Sequence, residues 1–424
     1  MAKPFKKITL PNGLRVLLVP QAGSLAASVV ILVAAGSEYE KKPVNGVSHF
    51  LEHMTFKGTS RRPRVGQIAE ELAGLGAQSN AFTGQEYTGY WAKAEARKLP
   101  QILDIVTDLY LNPLFDPAEI EKERGVIVEE INMYDDMPKA KVQEDLAALM
   151  YGDQPAGWSI AGEKEIVRKL AKKDFLKYRT ARYVPAGTLV VVAGKFDEKT
   201  VLQKIKREFG GLARGTAPAK TKTTERQATP AIFTRFKKSE QSHVAFGFRA
   251  FSLFDRRRYA VQVLADVLGG GMSSRLFKKV REELGAAYYV GADVDLFLDH
   301  GAFGIAVGVD HGKAETVVKA ILEECRKLRD VVIPKAEFAR AKEHMIGNMI
   351  LSLETSDELA SFYGGQEIIR KEIVSPEAVI KRVKEVTPEA VHAVAQEIFR
   401  NDRLNFAVVG PYRDGKMFKK ILKL

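Results

Sequence analysis

The chain has 424 residues, 46% hydrophobic and 28% charged, the make-up of a globular protein long enough for two or three domains and a sizeable core. Its one cysteine, Cys325, excludes an intrachain disulfide and points to a reducing compartment, and no apolar run approaches the roughly 18 residues of a membrane-spanning helix. The net charge of +12, from 65 basic and 53 acidic residues, is spread over mixed-charge stretches with no basic stripe interleaved with aromatics, which predicts a solvated surface and no nucleic-acid partner.

The amino terminus, from Met1, runs into strand-like residues 8–10 and a turn at Pro11-Asn12-Gly13. It has neither an apolar signal core nor a small-residue cleavage site, so no signal peptide and a cytoplasmic location are expected. Residues 14–20 and 26–34 are apolar and β-branched and read as strands. A helix should follow, capped by Asn45 and ending near Gly58. It carries His49-Phe50-Leu51-Glu52-His53. Imidazoles at i and i+4 leave one side of a helix, because four steps of about 100° return nearly to the start. Glu52 lies between them on the same stripe. Two neutral imidazoles suit zinc, and an adjacent carboxylate suits a base acting on the attacking water. The order H-x-x-E-H is the inverzincin signature.

A second amphipathic helix is expected to carry Val65, Ile68, Leu72 and Leu75 and to stop at Gly76, followed by strands at 77–82 and 87–94 and a helix at 99–111. A tetrahedral catalytic zinc needs a third protein ligand and an open position. Asp116-Pro117-Ala118-Glu119 reads as a helix start, with Asp116 as N-cap, Pro117 at the first helical position and Glu119 as capping-box partner. Along that helix Glu123, Ile127 and Glu130 share a face, and Glu129 sits about 100° away from it. Glu130 is therefore the better ligand, and Glu123 is suited to orient a ligating imidazole from behind. Residues 189–193 read as a closing strand.

Residues 210–229 shift to Gly, Ala, Pro, Thr and Lys with little apolar periodicity and read as a linker. The pattern then restarts, with strands at 231–236 and 243–248, a helix near 256–268 and a strand at 301–309. The place equivalent to the His-bearing helix holds Ala260-Val261-Gln262-Val263-Leu264, which has no ligands. The chain thus reads as a catalytic domain at 1–209 and a homologous domain without zinc ligands at 230–424. Each mixes clustered strands with helices, so the expected class is α+β, two related sandwiches with antiparallel-rich sheets. His243, His300, His311, His344 and His392 lack ligand-like spacing and are expected to be structural or solvated.

Taken together, His49-Phe50-Leu51-Glu52-His53-Met54-Thr55-Phe56-Lys57-Gly58-Thr59, Asn80-Ala81-Phe82-Thr83 and the block from Glu123 to Glu130 resemble the pitrilysin family of zinc metallopeptidases. Within it the chain is similar to the half-size branch that includes the mitochondrial processing peptidase beta subunit and its bacterial and archaeal relatives. The resemblance implies His49, His53 and Glu130 as ligands of one zinc ion per chain, Glu52 as the base, and Glu123 as an acid behind the metal. In the second half, Leu268-Gly269-Gly270-Gly271-Met272-Ser273-Ser274-Arg275-Leu276-Phe277 leads to Arg281 and Tyr288. This is similar to the block through which the family offers an Arg and a Tyr to the substrate backbone and the oxyanion, tasks that suit a guanidinium fork and a phenol. The triple glycine is no phosphate loop, since no Gly-Lys-Ser/Thr follows it.

The resemblance further implies a zinc endopeptidase for short or unfolded polypeptides. The substrate would be held as an added strand along Asn80, Ala81, Phe82 and Thr83, inside a clam-shell chamber formed by a homodimer. The alternative is a non-catalytic scaffold or partner subunit of a peptidase-like complex. Its usual mark is a decayed zinc motif, whereas all four residues are intact here.

Overall fold

The structure is a computed structural model that describes residues 4–424; Met1, the expected start, lies outside the described residues with Ala2 and Lys3. One sheet contains β1 (Lys6–Thr9), β2 (Arg15–Pro20), β3 (Ala26–Val33), β4 (Gln78–Thr83), β5 (Thr88–Glu95) and β6 (Thr188–Gly194), in the order β1-β2-β6-β3-β5-β4. A second contains β7 (Ala231–Phe236), β8 (Ser242–Arg249), β9 (Ala287–Leu296), β10 (Gly301–Val309) and β11 (Leu404–Gly410), in the order β7-β11-β8-β10-β9. With β1 set aside, the two sheets trace one path. In each, the first and last strands run parallel side by side, and every other pairing is antiparallel. The class is α+β, and the duplication read from the sequence is visible in the strand order.

The central strands are apolar on both sides. Every residue of β6 is buried, and β3 is buried from Ala27 onward. A sheet of that kind needs cover on two faces. In the first unit, α1 (Val47–Thr55), α2 (Gln67–Gly74) and α3 (Leu99–Leu111) pack on one face, through Phe50, Met54, Leu72, Ile102 and Val106 against Val29 and Ile31. The other face takes the helix Ser356–Arg370, whose Ala360, Tyr363 and Ile368 meet Val30, Leu32 and Val191. The long α4 (Pro117–Asp136) precedes α5 (Pro138–Tyr151). In the second unit α5 covers a sheet face, with Val142, Leu146 and Met150 on Ala245, Ala407 and Val409.

The compact units therefore cross the contiguous division expected from the sequence. One comprises the chain to Ile131, Ser159–Thr221 and Leu351–Ser375; the other comprises Asn132–Trp158, Lys222–Ile350 and Pro376–Leu424. Each draws the cover for its second apolar face from the other half of the sequence. Residues 210–229 form no helix or strand, yet they are docked and do not behave as a free linker. Lys220 is buried between Glu38 and Glu86, 2.8 Å from Glu86 Oε1, and Arg182 donates to the Pro218 carbonyl. A buried ammonium is tolerable because two carboxylates face it. Among the described residues no helix is long and apolar enough to cross a membrane.

Candidate active site

The short α1 starts at Val47 and ends at Thr55, inside the span expected from Asn45 to Gly58. Asn45 does not cap it, because its amide donates to Glu40 Oε2 and to the Ser159 carbonyl. Glu40 takes that role instead: its carboxylate accepts the Gly46 N–H at 2.7 Å and the Ser48 N–H at 2.8 Å, where the positive end of the helix favours an acid. Gly46 enters the helix with φ +93°, and a Cβ there would lie 2.6 Å from the Ala161 carbonyl oxygen, so only glycine fits. Nine residues are marginal as an isolated helix, and the fully buried Phe50, Leu51 and Met54 anchor it at roughly 2 kcal/mol each.

The opposite stripe of α1 carries His49, Glu52 and His53. Asp116 accepts the Ala118 N–H at 2.7 Å at the start of α4, as a cap should. Glu119 does not reach back; it bonds Lys122 instead. On α4, Ile127 and Glu123 are buried, Glu130 is half-buried and Glu129 is exposed. Glu130 Oε2 lies 3.7 Å from His49 Nε2 and 3.4 Å from His53 Nε2. One donor atom from each of His49, His53 and Glu130 falls within 4.8 Å of the others. Two imidazole nitrogens and a carboxylate oxygen converging on one point are the donor set of a catalytic zinc with three protein ligands, so the residues fit that ion.

The support behind the two rings is unequal. His53 Nδ1 meets Glu123 Oε1 at 2.9 Å, and Lys57 holds Glu123 Oε2 at 2.5 Å. His49 Nδ1 is buried with no hydrogen-bond partner among the described residues. Burial and the neighbouring His53 push His49 down to about 4, with Glu130 opposing. Burial also lowers His53, but hydrogen bonds to Glu123 and Glu130 and the charge of Glu52 outweigh it and hold the ring up at about 9. Glu130 is lowered mainly by its hydrogen bond to His53. Burial raises the Glu52 carboxyl against the lowering pull of a hydrogen bond from Thr83, whose hydroxyl donates to Oε2 at 2.6 Å.

The segment expected to hold substrate lies at a sheet edge, since β4 is the last strand of its sheet. Asn80 Oδ1 accepts the Ala81 N–H at 2.9 Å, Ala81 is buried, and Phe82 packs edge-on against Tyr87 at 5.6 Å. In the second unit, Arg281 and Tyr288 are brought together. Arg281 sits in the π-helical turn Phe277–Glu283 and donates to the Tyr288 carbonyl at 2.9 Å, with its guanidinium 5.5 Å from the Tyr288 ring. Tyr288 is the second residue of β9 and is 77% exposed. Sequence reasoning passed over Lys57, Glu40 and the contact of Thr83 with Glu52. Lys57, four residues after His53, offered a helical-spacing signal; the other two offered none.

The family profile described as Insulinase (Peptidase family M16) matches residues 15–164, and the one described as Peptidase M16 inactive domain matches residues 169–345. A protein of Mycobacterium leprae described as an uncharacterized zinc protease is 34% identical over 421 residues, covering 99% of this chain and 94% of the relative. The chain belongs to peptidase family M16. A further relative, the uncharacterized zinc protease YmxG of Bacillus subtilis, is 33% identical over 402 residues, covering 94% of this chain and 96% of its own. The same fold is seen in the crystal structure of a protease from Helicobacter pylori, with TM-score 0.91 at 23% identity over 96% of this chain and 99% of that one. All the metal-centre candidates, His49, His53, Glu123 and Glu130, lie in the part matched by the insulinase profile.

Proposed function

We propose that this M16 chain is a zinc endopeptidase in which His49, His53 and Glu130 hold one zinc ion per chain and Glu52 is the general base. The observation that carries the reading is the convergence of those three donors within 4.8 Å, beside a glutamate that feels the charges of His53 and Glu130 yet lies outside the donor set. The description of the full-length relatives as zinc proteases supports the choice of metal. Zinc bound there supplies Lewis-acid polarisation of a peptide carbonyl and lowers the pKa of water to about 7. Glu52 takes a proton from the attacking water and delivers it to the leaving amine. Glu123, backed by Lys57, orients His53. Arg281 grips substrate carbonyls and Tyr288 donates to the oxyanion.

Substrates of this reading are short or unfolded polypeptides. A polypeptide must be extended to pair with the free edge of β4 along Asn80, Ala81, Phe82 and Thr83, and backbone pairing tolerates many sequences. The enclosing chamber would come from two copies of this chain. The decisive experiment digests a mixed peptide library with wild type, Glu52→Gln, His49→Ala and Glu130→Gln while zinc content is measured. Glu52→Gln should retain zinc and lose hydrolysis, and the other two should lose both. Hydrolysis by Glu52→Gln at the wild-type rate, or full zinc occupancy in Glu130→Gln, would overturn the assignment.

A further inference from the structure

Thr83 ends the edge strand β4. Side chains alternate across a strand, so Thr83 shares a face with the buried Ala81, which packs with α1, while Phe82 points to the other face. This register brings the Thr83 hydroxyl to Glu52 Oε2 at 2.6 Å. Among the described residues no other group hydrogen-bonds the Glu52 carboxyl, and Oε1 accepts nothing. A glutamate side chain carries up to about 2 kcal/mol of rotamer entropy, so one short hydrogen bond strongly biases where its free oxygen lies. The β-branch of threonine stiffens its own χ1, which makes it a firmer anchor than an unbranched hydroxyl.

We infer that Thr83 is a positioning residue for the base: it pins Oε2 of Glu52 so that Oε1 is the oxygen presented to water. The inference rests on Glu52 being the base. It also gives β4 two tasks, because the strand whose free edge suits substrate pairing carries the anchor of the base at its end. A polypeptide paired with that edge stiffens the element that holds Glu52.

The test compares Thr83→Val, which keeps the shape and removes the hydroxyl, with Thr83→Ser, which keeps the hydroxyl. Thr83→Val should lower kcat by roughly 10- to 100-fold with KM little changed, as expected for a displaced reacting group. Thr83→Ser should recover most of that loss. Zinc content and unfolding midpoint should stay at wild-type levels in both. Crystal structures of the metal-free proteins should show Glu52 in one rotamer in wild type and Thr83→Ser, and in several in Thr83→Val. Wild-type kcat in Thr83→Val, equal impairment of the two variants, or a single Glu52 rotamer in Thr83→Val overturns the inference. Glu52→Gln assayed alongside separates two kinds of failure. An active Glu52→Gln removes the base assignment and Thr83 with it, whereas an inactive Glu52→Gln beside a fully active Thr83→Val removes Thr83 alone.

Discussion

His53 Nδ1 lies 2.9 Å from Glu123 Oε1, and the other nitrogen of the ring is turned to Glu130 Oε2 at 3.4 Å. The imidazole is therefore held from behind by one carboxylate of α4 and presented in front to another, two turns along the same helix. Lys57 completes the support by neutralising the far oxygen of Glu123.

Glu123→Gln should keep the fold and weaken zinc binding by about 10- to 100-fold, the usual cost of disturbing a group behind a ligand. Competition with a chromogenic chelator measures it. Glu129→Gln, on the exposed neighbouring stripe, should bind zinc as wild type does. Equal losses in the two variants would refute the choice of helical face.

Glu40 makes stability depend on pH. Burial pushes its carboxyl from 4.5 up to about 7, against the lowering effect of hydrogen bonds from Ser48, Asn45 and Gly46. A raised acid favours its protonated form in the fold, so its contribution is complete below 4.5 and is lost as pH rises through 7. Glu40→Gln removes this titration. The stability of wild type relative to Glu40→Gln should therefore fall between pH 4.5 and 7, by up to about 1.4 kcal/mol per pH unit, in urea unfolding. A relative gain over that interval would mean that the folded protein holds Glu40 ionised.

Glu367, on the helix Ser356–Arg370, is fully buried, with Oε1 3.0 Å from Arg15 Nη1 and 2.8 Å from Lys7 Nζ. Arg15 also donates to the Glu367 carbonyl at 2.7 Å. Glu367→Ala leaves the buried guanidinium without its carboxylate and should cost roughly 3–5 kcal/mol, read from the denaturant midpoint. A change below about 1 kcal/mol would show that the helix is held by its apolar face alone.

If two copies of the chain form the working enzyme, with Arg281 and Tyr288 of one serving the metal centre of the other, inactive variants should rescue each other. Mixing Glu52→Gln with Arg281→Ala should restore part of the activity, since some mixed dimers carry one intact composite site. Fully active monomers in sedimentation, or no rescue despite proven subunit exchange, would rule this arrangement out.

The metal-centre candidates were legible because each depends on short-range geometry. The i, i+4 imidazoles and the glutamate between them on α1, and the preference for Glu130 over Glu129 on α4, all follow from the α-helical period, which local backbone sterics impose wherever a helix forms. The alternation of strands and helices in the two halves was legible for the same reason, and so was the α+β class. The Arg281 and Tyr288 pairing emerged only through a family resemblance, since a turn of irregular helix and a strand start share no period.

The rest was decided by packing between segments far apart in the chain. Thr83 meets Glu52 because β4 lies beside α1, and Glu40 displaces Asn45 at the helix start because a loop brings a carboxylate onto free N–H groups. Neither α5 nor Ser356–Arg370 is read from the sequence, and the apolar side that each carries does not itself say which sheet receives it. The choice falls to two sheets that each have a second apolar face to cover, and the entropy of closing a long loop grows too slowly with separation to keep each helix in its own half. The sequence by itself determined the chemistry available along each helix; tertiary burial decided which helix covers which sheet and which hydroxyl meets Glu52.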